Sequence, residues 1–239
     1  MIELYHQLIT APLLNILVGL YNTIAFQDLG IAIALLTLLI RLAFFPLFQK
    51  SLVHQKKMQE IQPEIKKLQK KHKGNMEEQS KALMALYKEH NFNPFSGIGV
   101  MIVQIPILLA LYQLFLGVFK EGALDRLYGF IANPGALDPV SLGFFDLSQP
   151  YFWLVLVTAI LQFIQARMSL AKASNMEPSQ KMTMQITTLI VPIITLVIFS
   201  RLAAAVSVYW LVSSLLSLLQ QYIVNYRDNN KKKNETSTA

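Results

Sequence analysis

The sequence predicts an all-α membrane protein with five transmembrane helices, an N-terminal interfacial amphipathic helix and a cytoplasmic helical hairpin. Three observations carry that expectation. Hydrophobic residues make up 54% of the 239 and charged residues only 15%, with a mean hydropathy of +0.42, which is too apolar for an ordinary soluble domain. Apolar segments of about 20 residues, the length of a bilayer-crossing helix, recur along the chain. The basic residues collect in alternate connections, as they do when loops lie on alternate sides of a membrane.

Residues 1–28 form the first unit. Leu8–Phe26 is apolar but interrupted by Thr10, Pro12, Asn15, Asn22 and Thr23, a pattern that fits a helix lying in the interface better than a full span. The N-terminus, MIELYHQLITAPLL, lacks the basic region of a signal peptide, and with no cysteine in the chain there is no lipoprotein acceptor. The segment is expected to be retained. The lack of cysteine also excludes disulfides, thiolate metal sites and a Cys nucleophile.

Residues 29–225 form the core, with spans expected at about 30–50, 97–119, 150–170, 184–200 and 203–224. The first, GIAIALLTLLIRLAFFPLFQK, carries Arg41. At about 1.5 Å per residue that charge lies roughly 16 Å beyond Gly30, near the bilayer centre. A guanidinium there costs at least about 2.5–3.5 kcal/mol on insertion scales, so it is expected to face protein or water and to have a function. Pro46, near the end of this span, is expected to kink the helix without stopping it.

Residues 51–93 read as a helical hairpin. Met58, Ile61, Ile65 and Leu68 form one apolar stripe at 3–4 spacing, His72-Lys73-Gly74-Asn75 breaks it, and a second helix runs from about Met76 to Glu89 with Met76, Leu83 and Tyr87 on one face. The apolar stripe is narrow and the charge dense, so the hairpin supports itself weakly; it is either a solvated loop or a partner-binding element. Residues 120–149 are a loop rich in Gly, Pro and Asp, and the last two spans form a tight pair around Arg201. Residues 226–239 read as a basic, disordered tail.

Ten lysines fall in Lys50–Lys88, Arg167, Lys172 and Lys181 in the next loop of that side, and Arg227 and Lys231 to Lys233 in the tail; the opposite loops hold only Lys120, Arg126 and Arg201. The positive-inside rule then places the N-terminus outside and the hairpin and tail in the cytoplasm.

The spans also contain Thr37, Gln104, Gln162, Gln165, Gln185, Ser207, Ser213, Ser214 and Ser217. Any one of these can serve simply to hold helices together by hydrogen bonds. Taken with Arg41, which has no carboxylate in any span to pair with, they point to a shared polar cavity in which water hydrates the guanidinium and its charge attracts acidic groups. Thr37 lies one turn before Arg41 on the same helical face. Tyr209-Trp210 falls within the last span, not at an interface belt. The four histidines have no metal-ligand spacing, and there is no phosphate loop, transporter-type repeat or proton-relay carboxylate; no enzyme activity, metal or cofactor is expected.

The chain resembles the YidC/Oxa/Alb family of membrane protein insertases. The resemblance rests on TLLIRLAFFP at Thr37–Pro46, IQPEIKKLQKKH at Ile61–His72, ALYKEHNFNPFSG at Ala85–Gly97, VQIPILLALYQLF at Val103–Phe115 and AVSVYWLVSSLLSLLQQY at Ala205–Tyr222, in the family's order and spacing across about residues 10–225. It implies a compact five-span form without a large extracytoplasmic domain, in a bacterial plasma membrane, with a positively charged hydrophilic groove open to cytoplasm and lipid and closed outside. By the same resemblance Arg41, Thr37 and Trp210 line that groove with Tyr209 beside them, and Gln104 and Gln162 join them by polarity and helix position. The family's usual asparagine after the aromatic pair is Ser213-Ser214 here. The implied partners are nascent membrane proteins, the lipid bilayer, the Sec translocase, targeting factors and the ribosome, met by Lys66, Lys67, Lys70 and Lys71 on the hairpin and by Lys231, Lys232 and Lys233 in the tail. Positive-inside anchoring explains the tail equally well. Besides insertion, the residues fit a channel or carrier for a small anionic solute bound at Arg41, or a structural scaffold presenting the hairpin; the resemblance favours insertion.

Overall fold

The computed structural model describes residues 2–93, 98–120, 122–170 and 178–237. Helix α1 (Ile2–Tyr5) passes through a π-helical segment (His6–Thr10) into α2 (Ala11–Thr23), followed by α3 (Leu29–Ala43), α4 (Phe45–Lys71), α5 (Met76–Glu89), α6 (Ile98–Gly117), α7 (Phe152–Leu170), α8 (Pro178–Phe199) and α9 (Ala204–Ser237). Two short strands, β1 (Val140–Ser141) and β2 (Phe145–Asp146), pair antiparallel between α6 and α7. Apolar residues of α2, α3, α6, α7, α8, α9 and the loop before α7 share one core. In it α7 packs on α8 and α9, α9 on α3, and α3 on α2.

Glu3–Thr23 and Ala204–Arg227 are helices long and apolar enough to cross a membrane, and Leu29–Ala43 with Phe45–Met58 makes a third if the bent pair counts as one span. Ile102–Gly117, Phe152–Met168 and Thr188–Phe199 are shorter apolar helices.

The Arg41 helix differs from the single rod expected over 30–50. At 15 residues α3 is only about 22 Å long, shorter than a bilayer core of about 30 Å. The chain breaks at Phe44 and α4 leaves at 69°. Pro46 sits in the first turn of α4, where its missing N–H costs no hydrogen bond and its fixed φ starts a new helix. The hairpin's first helix therefore begins at Phe45, not at residue 51.

The N-terminal segment also differs. It is packed into the bundle instead of lying on it: Leu17 and Val18 are wholly buried, and the Tyr5 hydroxyl donates to the Pro106 carbonyl (2.8 Å) about halfway along α6. Its other face carries exposed Leu4, Leu8 and Ile16, so it is apolar around much of its circumference, unlike an interfacial helix. Its polar residues serve the loop before α7. Asn15 Oδ1 accepts from the Tyr128 N–H (2.6 Å) and Asn22 Nδ2 donates to the Ala132 carbonyl (2.7 Å).

In the hairpin, Ile61 and Ile65 of α4 meet Leu86 and Phe92, with Met58, Leu68, Leu83 and Tyr87 packed around them. Asn75 caps α5, its side chain accepting from the Glu78 N–H (3.2 Å). Met76, expected on the apolar face, is exposed, because it begins α5 beyond the reach of α4; Leu86 takes the central place. At the other end, α9 stays helical through Ser237 where a disordered tail is expected. Arg227–Ser237 contains neither Pro nor Gly, so nothing local stops the helix.

Candidate functional site: a polar cavity around Arg41

Arg41 sits in the last turn of α3, just before the break at Phe44. The break turns α4 across the guanidinium, so that the Phe48 ring lies 4.2 Å below Cζ in a cation–π contact. From the other side Arg41 Nη2 donates to the Ser213 carbonyl of α9 (2.5 Å). Among the described residues no carboxylate pairs with it, and its Nε has no hydrogen-bond partner. A charge desolvated to this degree, held only by a carbonyl and a ring, retains most of its capacity to bind an anion.

The cavity beside it has a volume of about 560 Å³, room for roughly 20 water molecules at about 30 Å³ each. Six helices converge on it. Arg41 comes from α3, Phe48, Ser51, Leu52 and Gln55 from α4, Gln104 from α6, Gln162, Gln165 and Ala166 from α7, Thr188, Val191 and Pro192 from α8, and Trp210, Ser213, Ser214, Ser217 and Gln220 from α9. Among the described residues the lining carries one positive charge and no negative one. Its amides and hydroxyls both donate and accept, so it suits hydrated or peptide-like polar groups with a preference for acidic ones.

Several lining residues are held by bonds between helices. Gln162 Oε1 accepts from Thr195 Oγ1 (2.9 Å), linking α7 to α8. Gln220 Nε2 donates to Gln49 Oε1 (3.1 Å), linking α9 to α4. Gln104 Nε2 donates to the Tyr209 hydroxyl (2.8 Å), linking α6 to α9. The Trp210 ring lies 5.1 Å from that of Phe199.

Of the residues expected in the groove, the structure places Arg41, Gln104, Gln162 and Trp210 on the cavity wall and leaves two outside it. Thr37 is fully buried, and its hydroxyl donates to the Ile33 carbonyl one turn back (2.7 Å); the helix itself satisfies it. Tyr209 is buried behind the wall, its hydroxyl accepting from Gln104. Phe48, Ser51 and Gln55 are lining residues that sequence reasoning did not single out. The signal for α9 was present: Trp210, Ser213, Ser214 and Ser217 stand at i, i+3, i+4 and i+7, one helical face. On the hairpin, Lys67, Lys70 and Lys71 are exposed and Lys66 is half-buried. The side chains of Lys231, Lys232 and Lys233 lie outside the described residues.

The opposite end of the bundle is closed by the loop before α7. Asp28 caps α3, accepting from the Ile31 N–H (2.9 Å), and the same carboxylate accepts from Ser141 Oγ (2.6 Å) and the Leu142 N–H (2.6 Å). Burial alone would raise the pKa of Asp28; the bonds from Leu142, Ser141, Ile31 and Gly30 outweigh it and hold the carboxyl below the ordinary aspartate value. The Ser141 side chain occupies the space a Cβ at Gly30 would need, which is why glycine stands there. Farther along, the Gln149 and Leu147 carbonyls accept from the Ala204 and Ala205 N–H groups that open α9 (2.8 and 3.0 Å), and Leu147 is buried beneath.

Comparison with known proteins gives a family, related sequences and a related fold. The family described as 60Kd inner membrane protein matches residues 19–233. The membrane protein insertase YidC of Syntrophobacter fumaroxidans is 35% identical over 221 residues, 91% of this chain and 38% of that protein. The YidC of Rickettsia canadensis is 32% identical over 226 residues, 91% of this chain and 39% of that protein. The chain thus spans about two fifths of the length of these curated relatives. A crystal structure described as active YidC insertase with the first transmembrane domain resolved has a TM-score of 0.59 at 23% identity, covering 91% of this chain and 46% of that one. That likeness speaks to the fold.

Proposed function

This chain belongs to the 60Kd inner membrane protein family, that of the membrane protein insertases YidC, and on that premise we propose that it inserts and folds nascent membrane proteins in a bacterial plasma membrane. The observation that carries the reading is Arg41, desolvated and without a carboxylate partner among the described residues, on the wall of a polar cavity of about 560 Å³. A channel or carrier for a small anion would need a path to both faces, whereas the loop before α7 is bonded across the starts of α3 and α9.

In this reading five spans begin with α3 and its bent continuation, followed by α6, α7, α8 and α9. The hairpin and the end of α9 lie in the cytoplasm, the α2–α3 turn and the loop before α7 lie outside, and α2 with α1 runs back from that turn into the bundle as far as Pro106 of α6. A client's polar N-terminal segment enters the cavity from the cytoplasm, and an acidic group on it exchanges for the Ser213 carbonyl at Arg41. The amide and hydroxyl lining lowers the desolvation cost of that segment. The client's apolar helix leaves sideways into lipid, and its burial there, at about 25 cal/mol per Å², drives release. Arg41, Gln104, Gln162 and Trp210 contact the client directly; Thr37 and Tyr209 support the wall. The exposed lysines of α4 and the basic end of α9 meet the ribosome, targeting factors or the Sec translocase. No covalent bond is made or broken.

The test is insertion of a single-span substrate with an acidic N-terminal segment into liposomes containing only this protein, wild type beside Arg41→Ala. Wild type is expected to insert well above empty liposomes and Arg41→Ala to lose most of that gain. Equal insertion by both assigns the work to the hydrated cavity and removes Arg41 from the mechanism. No gain by wild type refutes autonomous insertion.

A further inference from the structure

Two exposed apolar turns stand beside the Asp28 carboxylate, and neither has a folding reason to be apolar. Phe26 is 88% exposed with φ of 55°, and Leu142 is 59% exposed with φ of 52°. Left-handed backbone is uncommon for any residue but glycine, and asparagine, aspartate or glycine would relieve it. At Leu142 the turn is closed by the Phe144 N–H donating to the Ser141 carbonyl (3.2 Å) and continues through Gly143 at φ of 77°. Phe144, which follows, is 67% exposed. An apolar side chain in a position that disfavours it, turned away from the protein, requires an environment other than water.

The hairpin's place in the fold says which environment. It is fastened to the starts of three helices: by Asp28 to α3, through Phe145 to Trp153 in the first turn of α7 (ring centroids 5.3 Å apart), and through the Leu147 carbonyl to Ala205 of α9. Phe26 lies in the turn joining α2 to α3. All of these apolar groups therefore stand at the level where helices of the bundle begin. Aromatic side chains at that level sit among lipid headgroups, and Phe144, Phe145, Tyr151 and Trp153 form a continuous set of ring contacts there.

We propose that Phe26, Leu142 and Phe144 form a lipid-anchoring foot that inserts into the headgroup and upper acyl region of the outer leaflet, with the Asp28 carboxylate fastening the Leu142 turn to the start of α3 and the Gln27 N–H, donating to the Tyr21 carbonyl (3.1 Å), closing the Phe26 turn. The proposal rests on the topology given above, which places this end outside. The foot holds the closed end of the bundle at a fixed depth while the other end handles clients.

Because the chain has no cysteine, single nitroxide labels test this directly. Phe26→Cys, Leu142→Cys and Phe144→Cys are labelled, alongside Ala136→Cys on an exposed part of the same loop. The full chain is reconstituted in phosphatidylethanolamine–phosphatidylglycerol vesicles without client, and relaxation by oxygen is compared with relaxation by a water-soluble nickel chelate. The three foot positions are expected to be oxygen-dominated and Ala136 chelate-dominated. Chelate-dominated relaxation at the foot overturns the proposal. A second set places Phe26→Asn and Leu142→Asn, which ease the backbone, behind the label at 144. The label is expected to shift toward the chelate; if it keeps its depth, the apolar side chains do not anchor the hairpin and the proposal fails. These readings need no insertion activity, so they stand or fall apart from the insertase reading.

Discussion

Replacing Asp28 by alanine removes at one stroke an N-cap and two bonds between segments more than 110 residues apart in sequence. The lost cap is worth about 1 kcal/mol. The bonds to Ser141 and Leu142 involve a charged acceptor, for which about 1.5–3 kcal/mol each is typical in buried settings. Asp28 is only half-buried, so about half a kcal/mol to one each is the appropriate scale here. The sum is about 2–3 kcal/mol, which for a chain of this size corresponds to a Tm lower by roughly 4–12 °C. Asp28→Asn keeps an acceptor but no charge and should lose about half as much. The wild-type chain adds a pH signature. Its folded-state pKa at Asp28 lies below the ordinary aspartate value, so the contribution is fully present above the unfolded value of about 3.9 and is lost as pH falls through the folded one. Asp28→Asn should lack that component. The assay is intrinsic-fluorescence thermal unfolding in detergent at neutral pH and in steps well below the unfolded aspartate value of about 3.9. A Tm for Asp28→Ala within 1–2 °C of wild type, against the roughly 4 °C minimum of the scaling, would refute the clamp.

Other outcomes follow from the same geometry. Gln104→Leu strands the buried Tyr209 hydroxyl and should cost about 1–3 kcal/mol, whereas Tyr209→Phe leaves the Gln104 amide facing the cavity, where water can replace the lost partner, and should cost about 1 kcal/mol or less; thermal unfolding of both singles and the double checks the asymmetry. Leu86→Ala opens the small hairpin core and should cost about 2 kcal/mol there, raising the open population roughly 30-fold. Limited proteolysis should then cut within the hairpin faster while the membrane part unfolds at an unchanged temperature. Phe48→Leu removes the ring under Arg41 and about 0.5–2 kcal/mol of cation–π attraction; reconstituted insertion of acidic-tailed clients should change more than that of neutral ones.

Hydropathy and charge revealed the helices and their approximate ends because the signal is local and repeated. The misplacements have a common cause in partners far along the chain. Asn15 and Asn22 looked like groups seeking headgroups, but their partners are backbone atoms at Tyr128 and Ala132, over a hundred residues away. Thr37 looked like a cavity residue from its position one turn before Arg41, yet it bonds within its own helix, an option open to every helical threonine. The bend at Phe44 was hidden because proline near a helix end is compatible with either a kink or a fresh start. Polar stripes such as that of α9 could be read; that six helices aim theirs at one cavity depends on tertiary packing, which periodicity does not report.

The break at Phe44 makes α4 a lever. With 27 residues it is about 40 Å long, and Phe48 stands only about 5–6 Å from the fulcrum. A rotation of about 10° would displace the far end near His72 by roughly 7 Å and Phe48 by about 1 Å. A displacement of the hairpin's far end thus reaches Phe48 reduced about sevenfold, enough to turn a coarse movement at its tip into a fine adjustment of one ring beneath one charge.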